Sequence, residues 1–212
     1  VERFYEWNVE EAAFKGEIPK IDGMSLANNL MAYIERKLFT LNTGHAITAY
    51  FGYLKGLSTI DESINDEKIY NFVRKAMIES GKGLITKHNF SEEAHLKYID
   101  KIIGRFKNPY LRDDVSRVGR EPLRKLNEND RLIKPLMTAR GFNIDTDNLL
   151  LGVGAALHYN NKEDKQSVEL QELIKEKGIK NTLAEIAKLP NNNDILDKVE
   201  YYYNEVESII AN

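Results

Sequence analysis

The 212-residue sequence predicts an all-α fold. Apolar residues recur every three or four positions through most of the chain, which is the spacing of helices that pack one face on a core. No run of alternating apolar and polar residues predicts a strand, and no internal repeat is visible. A composition of 42% hydrophobic and 30% charged residues is ordinary for a soluble globular domain of this length.

Composition also narrows the classes of function. A net charge of −3 argues against nucleic acid as the main partner, and no apolar run is long enough to span a membrane. The lack of cysteine excludes disulfides and thiolate metal sites and fits a reducing compartment. No zinc or calcium motif and no signal-peptide pattern occurs. We therefore expect a cytoplasmic protein without a metal, nucleic-acid or membrane partner.

Residues 1–24 are predicted to form an arm that leads into the helical domain. Its first half mixes aromatic and acidic residues and predicts at most a short helix, whereas the glycines and the proline of 15–24 predict a loop. Ser25 is the expected N-cap of a long central helix that ends at Gly56. The helical domain is accordingly placed at residues 25–212.

The later helices follow from apolar stripes and the residues that interrupt them. Gly81 is the expected end of a helix that begins at residue 66, Ser91 is the expected N-cap of the next, and Asn108–Pro109 breaks that one. Residues 112–134 are polar and basic, so irregular backbone with one helical turn is expected there. Further helices are predicted at 129–137, 148–159, 167–177, 179–188 and 194–210.

The central helix carries three polar residues, Lys37, Asn42 and His45, in otherwise apolar surroundings. At about 100° per residue, Lys37 and His45 lie roughly 80° apart and Asn42 about 60° beyond His45, so all three can face one cleft. Because most faces of this helix are apolar, Lys37 is predicted to be buried. A buried lysine needs either a partner of opposite charge or a role in function. From spacing alone, the plainer explanation is a lysine paired with a carboxylate, a structural asparagine and a core histidine. Gly44 predicts a close approach of backbone or ligand.

Three longer blocks of the sequence carry a wider signal. They are VERFYEW near the start, KLFTLNTGHAITAYFG around the polar residues, and GRFKNPYLRDDVSRVGREPLRKLNENDRLIKPL further on. In this order they resemble the polyol-specific long-chain dehydrogenase family, nearly from end to end. The resemblance implies a multi-helical C-terminal substrate domain of the 6-phosphogluconate-dehydrogenase-like type, which lacks the Rossmann domain. In the family that domain precedes the first block and binds NAD, so this fragment alone is expected to be inactive.

The resemblance assigns roles within the central helix. Oxidation of a secondary alcohol needs a base for the hydroxyl proton while hydride leaves for nicotinamide, and Lys37 is the implied base. A lysine accepts a proton only as the neutral amine, which burial and nearby positive charge favour; Arg36 and the basic residues of 117–125 are candidate sources of that charge. Asn42 would donate its amide N–H to the developing oxyanion, and His45 would hold a neighbouring hydroxyl or orient Lys37.

The second candidate site is the basic segment RVGREPLRK, residues 117–125. A solvated basic face is the ordinary explanation, but the glycine and proline within the segment can fix a loop that aims several cations at one point. Dehydrogenases of the family that act on free sugars keep an arginine and a lysine eight residues apart in this region. Extra arginines would suit a phosphorylated sugar or polyol, because the guanidinium group matches the spacing of phosphate oxygens. The candidate substrate-binding residues are Arg117, Arg120, Arg124 and Lys125.

Two other patterns are interpreted as structural. Gly152 and Gly154 stand in an apolar run like the start of a dinucleotide fingerprint, but Leu157 occupies the third glycine position, so close helix packing is predicted. The remaining histidines lack the spacing of metal ligands and are expected to be surface or capping residues. They are His88, His95 and His158.

Three functions stay open at this level. The leading one is hydride transfer between a phosphorylated polyol and a ketose phosphate with NAD. A second is the same chemistry on an unphosphorylated polyol or hexuronate, which would leave the extra arginines without a phosphate. A third, of another class, is a helical interaction module without chemistry, which predicts no effect of Lys37→Ala on any turnover.

Overall fold

A computed structural model describes residues 5–190 and 194–211, and within them it confirms the all-α fold. The part of the prediction that falls on Val1–Phe4 lies outside the described residues. Two short strands precede the helices. The elements are β1 Trp7–Glu10, a 3₁₀ turn Glu11–Ala13, β2 Met24–Ala27, α1 Leu30–Arg36, a π-helix Lys37–Asn42, α2 Thr43–Leu54, α3 Ile60–Asn65, α4 Glu67–His88, α5 Glu92–Phe106, a 3₁₀ turn Pro109–Leu111, α6 Val115–Gly119, α7 Pro122–Lys125, α8 Ile133–Gly141, α9 Asp147–Leu157, α10 Lys165–Ala187 and α11 Asp194–Ala211.

The two strands correct the prediction of an arm and loop without strands. β1 and β2 pair in parallel, with Trp7 opposite Met24 and Glu10 opposite Ala27. Ser25 therefore lies in a strand and does not cap the central helix. Asn29 does, because its Oδ1 accepts a hydrogen bond from the Ala32 N–H at 3.2 Å.

The central helix runs without interruption from α1 through the π-helix to α2, and Gly56, at φ +68°, follows its end. The middle of α2 is the centre of the core, where Ile47, Tyr50 and Phe51 are fully buried. The close approach predicted at Gly44 is to α4, since a Cβ there would lie 2.7 Å from the Met77 sulfur.

Helix α9 packs between α2 and α11 through its two glycines. A Cβ on Gly152 would lie 2.8 Å from the Ile47 side chain, and one on Gly154 would lie 3.0 Å from the backbone of Tyr203. This confirms the prediction of close helix packing for the apolar glycine run. Neighbouring helices occupy the space beside both glycines, so no room is left for a pyrophosphate.

Several helix boundaries differ from the prediction. Helix α4 continues through Gly81 to His88 and ends at Asn89, whose φ is +55°. Gly81 is needed for packing, because a Cβ there would lie 2.6 Å from His95 Nε2. Helix α10 covers both helices predicted between 167 and 188, with a break at Gly178. The Ser91 cap and the break at Asn108–Pro109 are confirmed.

The stretch 112–134, which includes the basic segment, is more regular than predicted and contains the two short helices α6 and α7. It is fastened to the central helix by hydrogen bonds from Tyr50 Oη to Gly119 O at 3.0 Å and from Thr43 Oγ1 to Arg131 O at 2.7 Å. None of the described helices is both long and apolar enough to cross a membrane.

Candidate active site

Lys37 and Asn42 line one open cavity of about 410 Å³. The other lining residues come from the arm and from α1 and the π-helix: they are Glu6, Asn8, Leu30, Tyr33, Ile34 and Leu38. The cavity is thus lined by apolar side chains together with the amine of Lys37, two side-chain amides and one carboxylate. The contribution of Glu6 and Asn8 was not predicted, although Glu6 lies in the VERFYEW block that carries the family resemblance and Asn8 is the next residue.

The π-helix brings Lys37 and Asn42 to the same side. On an α-helix, residues five positions apart are separated by about 140° around the axis. In a π-helix the hydrogen bond runs between residues five apart, so such residues lie closer together around the axis than they do in an α-helix. The Thr43 N–H donates to Leu38 O in this pattern and closes the π segment. The backbone therefore brings these two residues closer together around the axis than the α-helical spacing used in the prediction.

Lys37 is exposed, which corrects the prediction of a buried lysine. Its neighbours on the same face are exposed as well, Met31 by 57% and Ile34 by 51%. Among residues 5–190 and 194–211, no carboxylate lies within ion-pair distance of the Lys37 amine. The explanation by a structural ion pair therefore does not apply to this lysine within the described chain.

The neighbouring Glu35 forms the buried ion-pair cluster of this region. Its carboxylate lies 2.8 Å from Lys87 Nζ, 2.6 Å from His88 Nε2 and 3.2 Å from Lys134 Nζ. Burial on its own would raise the pKa of Glu35, but the hydrogen bonds from these three groups outweigh it and hold the pKa at about 2. This cluster joins α1 to α4 and α8 and leaves Lys37 on the opposite, open side.

His45 does not line the cavity of Lys37 and Asn42. Its ring stacks on Phe106 at a centroid distance of 4.9 Å, and its Nε2 lies 3.0 Å from Asp113 Oδ2, although the ring N–H is not aimed along that line. The proximity of His45, joined by the charge of Arg117, holds the pKa of Asp113 below its ordinary value. The structure thus groups His45 with the start of the basic segment.

The four basic residues of the segment have different environments. Arg117 forms an ion pair with Asp113, and Arg124 forms ion pairs with Glu121 at 2.8 Å and Asp130 at 3.5 Å. Arg124 also lines a separate groove together with the carboxylates of Glu169 and Glu185. Arg120 is exposed, and in the described part of the chain its guanidinium makes no ion pair.

Lys125 is buried, with 2% of its surface exposed, and its amine donates a hydrogen bond to Arg120 O. Burial, followed by the charges of Arg131 and Arg124, lowers the pKa of Lys125 to about 7. In this chain Lys125 holds the backbone of the loop that carries Arg120. A direct contact with substrate stays a prediction.

The other three histidines differ from the expected surface or capping positions. His95 is buried against Gly81, and burial followed by the charge of Arg36 lowers its pKa to about 4. His88 pairs with Glu35, and His158 stacks on Tyr203 at 3.8 Å. Within the described ranges, no group of three or more His, Asp or Glu side chains could hold a metal ion.

The fold is that of a multi-helical C-terminal domain of the mannitol dehydrogenase type. The chain belongs to the mannitol dehydrogenase C-terminal domain family, which matches residues 29–207. The matched range contains the central helix, the basic segment and most of α11.

Two solved structures are similar over most of the chain. A mannitol 2-dehydrogenase from Pseudomonas fluorescens, in a ternary complex with NAD and D-mannitol, matches 90% of this chain and 42% of its own length, with 19% identity and a TM-score of 0.72. A D-sorbitol dehydrogenase in substrate-free form matches 98% of this chain and 46% of its own, with 17% identity and a TM-score of 0.77. The chain spans less than half the length of either protein, and at these identities the likeness establishes the fold.

Proposed function

We propose that this chain is the substrate domain of an NAD-dependent mannitol-1-phosphate 5-dehydrogenase, which interconverts D-mannitol 1-phosphate and D-fructose 6-phosphate. The observation that carries the proposal is the open cavity that Lys37 and Asn42 of the π-helix both line, in which the Lys37 amine has no carboxylate partner among the described residues. Membership of the mannitol dehydrogenase C-terminal domain family supports the class of reaction.

In the direction of oxidation, the neutral amine of Lys37 accepts the proton of the reacting hydroxyl, and the carbon gives up a hydride. The Asn42 amide N–H donates a hydrogen bond to the same oxygen as negative charge develops on it. In the reverse direction the Lys37 ammonium returns the proton to the carbonyl oxygen. His45 and its partner Asp113 would hold a further hydroxyl of the substrate, which is a prediction that the distances alone do not test.

NAD would supply the hydride acceptor when bound. Among the described residues, only the open side of the cavity, where Ile34 and Leu38 are apolar, would accommodate part of NAD, and that part is its nicotinamide ring. Gly152 and Gly154 do not fit its pyrophosphate, because Ile47 and the backbone of Tyr203 occupy the space beside them. We therefore assign most of the cofactor site to a preceding nucleotide-binding domain.

That preceding domain would also cover the face around Lys37. Trp7, Leu26, Met31 and Ile34 are each more than 40% exposed on the arm and on α1, next to the cavity. Exposed apolar side chains grouped beside a polar site are typical of an interface. Coverage by the other half of the enzyme would bury Lys37 as its proposed role requires, and the chain alone would be inactive.

The basic segment would bind the phosphate group of the substrate. Arg120 is the first candidate because it is exposed and unpaired in the described structure. Arg117, Arg124 and Lys125 complete the proposed group, although each already has a partner within the chain. This internal pairing is the observation that favours the second candidate, a mannitol 2-dehydrogenase or hexuronate reductase that acts on an unphosphorylated substrate.

The test is a nicotinamide absorbance assay of the full-length protein with fructose 6-phosphate, fructose and tagaturonate as hydride acceptors. We expect a strong preference for fructose 6-phosphate. A preference for fructose or tagaturonate would replace the phosphate assignment with the second candidate. Turnover of none of the three would reject both and leave the helical interaction module.

A further inference from the structure

Arg36, the residue before Lys37, is fastened to the N-terminal arm. Its Nη2 lies 2.6 Å from Glu6 Oε1, and the other oxygen of Glu6 accepts a hydrogen bond from Tyr98 Oη at 3.0 Å. The carboxylate of Glu6 therefore joins the arm, the end of α1 and helix α5 at one point. Only about one fifth of each of the two charged side chains is exposed, 21% for Arg36 and 22% for Glu6.

The guanidinium of Arg36 is enclosed by aromatic rings. Its Cζ lies 4.5 Å from the ring centroid of Tyr98, 4.8 Å from that of Tyr33 and 5.9 Å from that of Phe90. Its Nε is buried without a hydrogen-bond acceptor in the described structure, so the charge is stabilised by ring faces and by one carboxylate. Lysine could not reproduce this arrangement, because it lacks the planar fork that stacks on rings and binds a carboxylate.

The position of this cluster in the chain connects two parts of the proposed active site. Glu6 precedes β1 directly, and β1 pairs with β2, which leads into α1. Glu6 also lines the same cavity as Lys37. Arg36 is the last residue of α1, and the π-helix that presents Lys37 and Asn42 begins at the next residue. Any shift of the arm would therefore move the backbone that carries Lys37.

We propose that Glu6, Arg36 and Tyr98 form a latch that sets the position of Lys37 relative to the arm, and that Arg36 is a positioning residue for the reaction. This inference rests on the proposed function for its kinetic consequences. Burial followed by the charge of Glu6 raises the pKa of Tyr98, so its phenol stays protonated and keeps donating to Glu6. The hydrogen bond from Tyr98 to Glu6 within the latch is therefore maintained at ordinary pH.

The experiment compares Arg36→Lys, Glu6→Gln and the double variant in the full-length protein. A matched control is available in Arg74 and Asp100, an arginine–carboxylate pair at 3.2 Å that joins α4 to α5 away from the cavity. In the nicotinamide assay we expect each single latch variant to lower kcat about tenfold or more with little change in KM, since alignment of the base is lost while substrate contacts remain. The double variant should lose no more than the worse single variant. Arg74→Lys and Asp100→Asn should keep wild-type kcat.

A second measurement does not depend on activity. Hydrogen–deuterium exchange of residues 30–42 in the full-length protein should be faster in both latch variants than in wild type, and unchanged in the Arg74 and Asp100 variants. Equal exchange in all variants would overturn the latch, as would additive kinetic losses or losses confined to KM. If wild type turns over none of the sugars, the proposed function fails, and the exchange measurement still decides whether the latch orders the helix.

Discussion

The cavity at Lys37 and the basic segment 117–125 both carry positive charge, but they differ in how that charge is paired within the chain. In the described chain the amine of Lys37 has no carboxylate within ion-pair distance and stands beside exposed apolar side chains. In the basic segment, Arg117 and Arg124 are paired with carboxylates of their own neighbourhood. Lys125 is buried and bonded to a backbone carbonyl.

This difference distinguishes cations that form structural ion pairs within the chain from cations that are available to bind a ligand. A paired guanidinium must give up its partner before it can bind a phosphate, whereas an unpaired amine or guanidinium can bind at once. By this criterion we expect Lys37 and Arg120 to be the cations most available to a ligand, and Arg117, Arg124 and Lys125 to contribute more to the structure of the loop. The predictions below test this division, beginning with the largest expected effect.

Replacement of Lys37 should have the largest effect on activity and a small effect on stability. Loss of a general base typically costs about 10²- to 10⁴-fold, so we expect Lys37→Ala to abolish measurable turnover in the full-length enzyme. Because its side chain is exposed and has no carboxylate partner among the described residues, the melting temperature should change little. Lys97→Ala is the control, an exposed lysine that forms an ion pair with Glu93. Activity within tenfold of wild type would contradict the assignment.

Asn42→Ala should lower kcat by about 10²- to 10³-fold, the usual result of removing one donor to a developing oxyanion. Asn42→Asp keeps the shape of the side chain but removes the N–H donor, and it should be equally impaired. The control is Asn71→Ala, at an exposed position of α4. If Asn42→Asp retained activity, the role of the amide as a donor would be refuted.

Glu35 stabilises the fold through its three cationic partners, so Glu35→Gln should lower the free energy of unfolding. The pKa of Glu35 is about 2 in the folded chain against an ordinary 4.5, which corresponds to about 3 kcal/mol. A folded-state pKa below the unfolded one gives stability that is complete above about pH 4.5 and is lost as the pH falls toward 2.

Chemical denaturation of wild type and Glu35→Gln at several pH values checks this prediction. The difference in free energy of unfolding should be largest at pH 7 and should shrink below about pH 4.5, because glutamine resembles the protonated acid. Asp100→Asn, at an exposed ion pair, should show a much smaller difference at every pH. A difference that does not change with pH would show that the ionisation of Glu35 is not its source.

The two arginines of the loop should differ in their effect on substrate binding. Arg120→Ala removes a guanidinium that has no ion-pair partner in the described part of the chain, and it should raise KM for fructose 6-phosphate about tenfold or more, as expected for one charge-assisted contact. Arg124→Ala should raise it less, because Glu121 and Asp130 already neutralise that side chain. KM for free fructose should not change in either variant. A larger effect of Arg124 than of Arg120 would reverse the division drawn from the ion pairs.

Helix positions could be predicted from sequence because apolar periodicity and capping residues act locally. Ser91, Asn108–Pro109 and the glycines of α9 had their expected roles. The strands were missed because they are short and lie in a segment rich in turn residues. Gly81 was misjudged as a helix end, since the packing of His95 against it involves a residue 14 positions away in another helix.

The site was predictable in its residue types but not in its geometry. Met31, Ile34 and Leu38 repeat as a buried face does, and sequence cannot distinguish a face buried in its own core from one that another domain would cover. The α-helical angle also places Lys37 and Asn42 about 140° apart, whereas the π-helix aligns them. Glu6 and Asn8 join the cavity through contacts between distant segments, namely the pairing of β1 with β2 and the ion pair of Glu6 with Arg36.

Lys37 is exposed in this chain, and we propose that it becomes enclosed in the whole enzyme. The most direct test is the rate of acetylation of individual lysines, measured by mass spectrometry in the 212-residue chain and in the full-length protein with NAD. Lys97, with 75% of its side chain exposed, serves as the internal standard. We predict that Lys37 reacts readily in the chain and much more slowly than Lys97 in the full-length protein. Equal reactivity of Lys37 in both would contradict the account, because nothing would then enclose the proposed base.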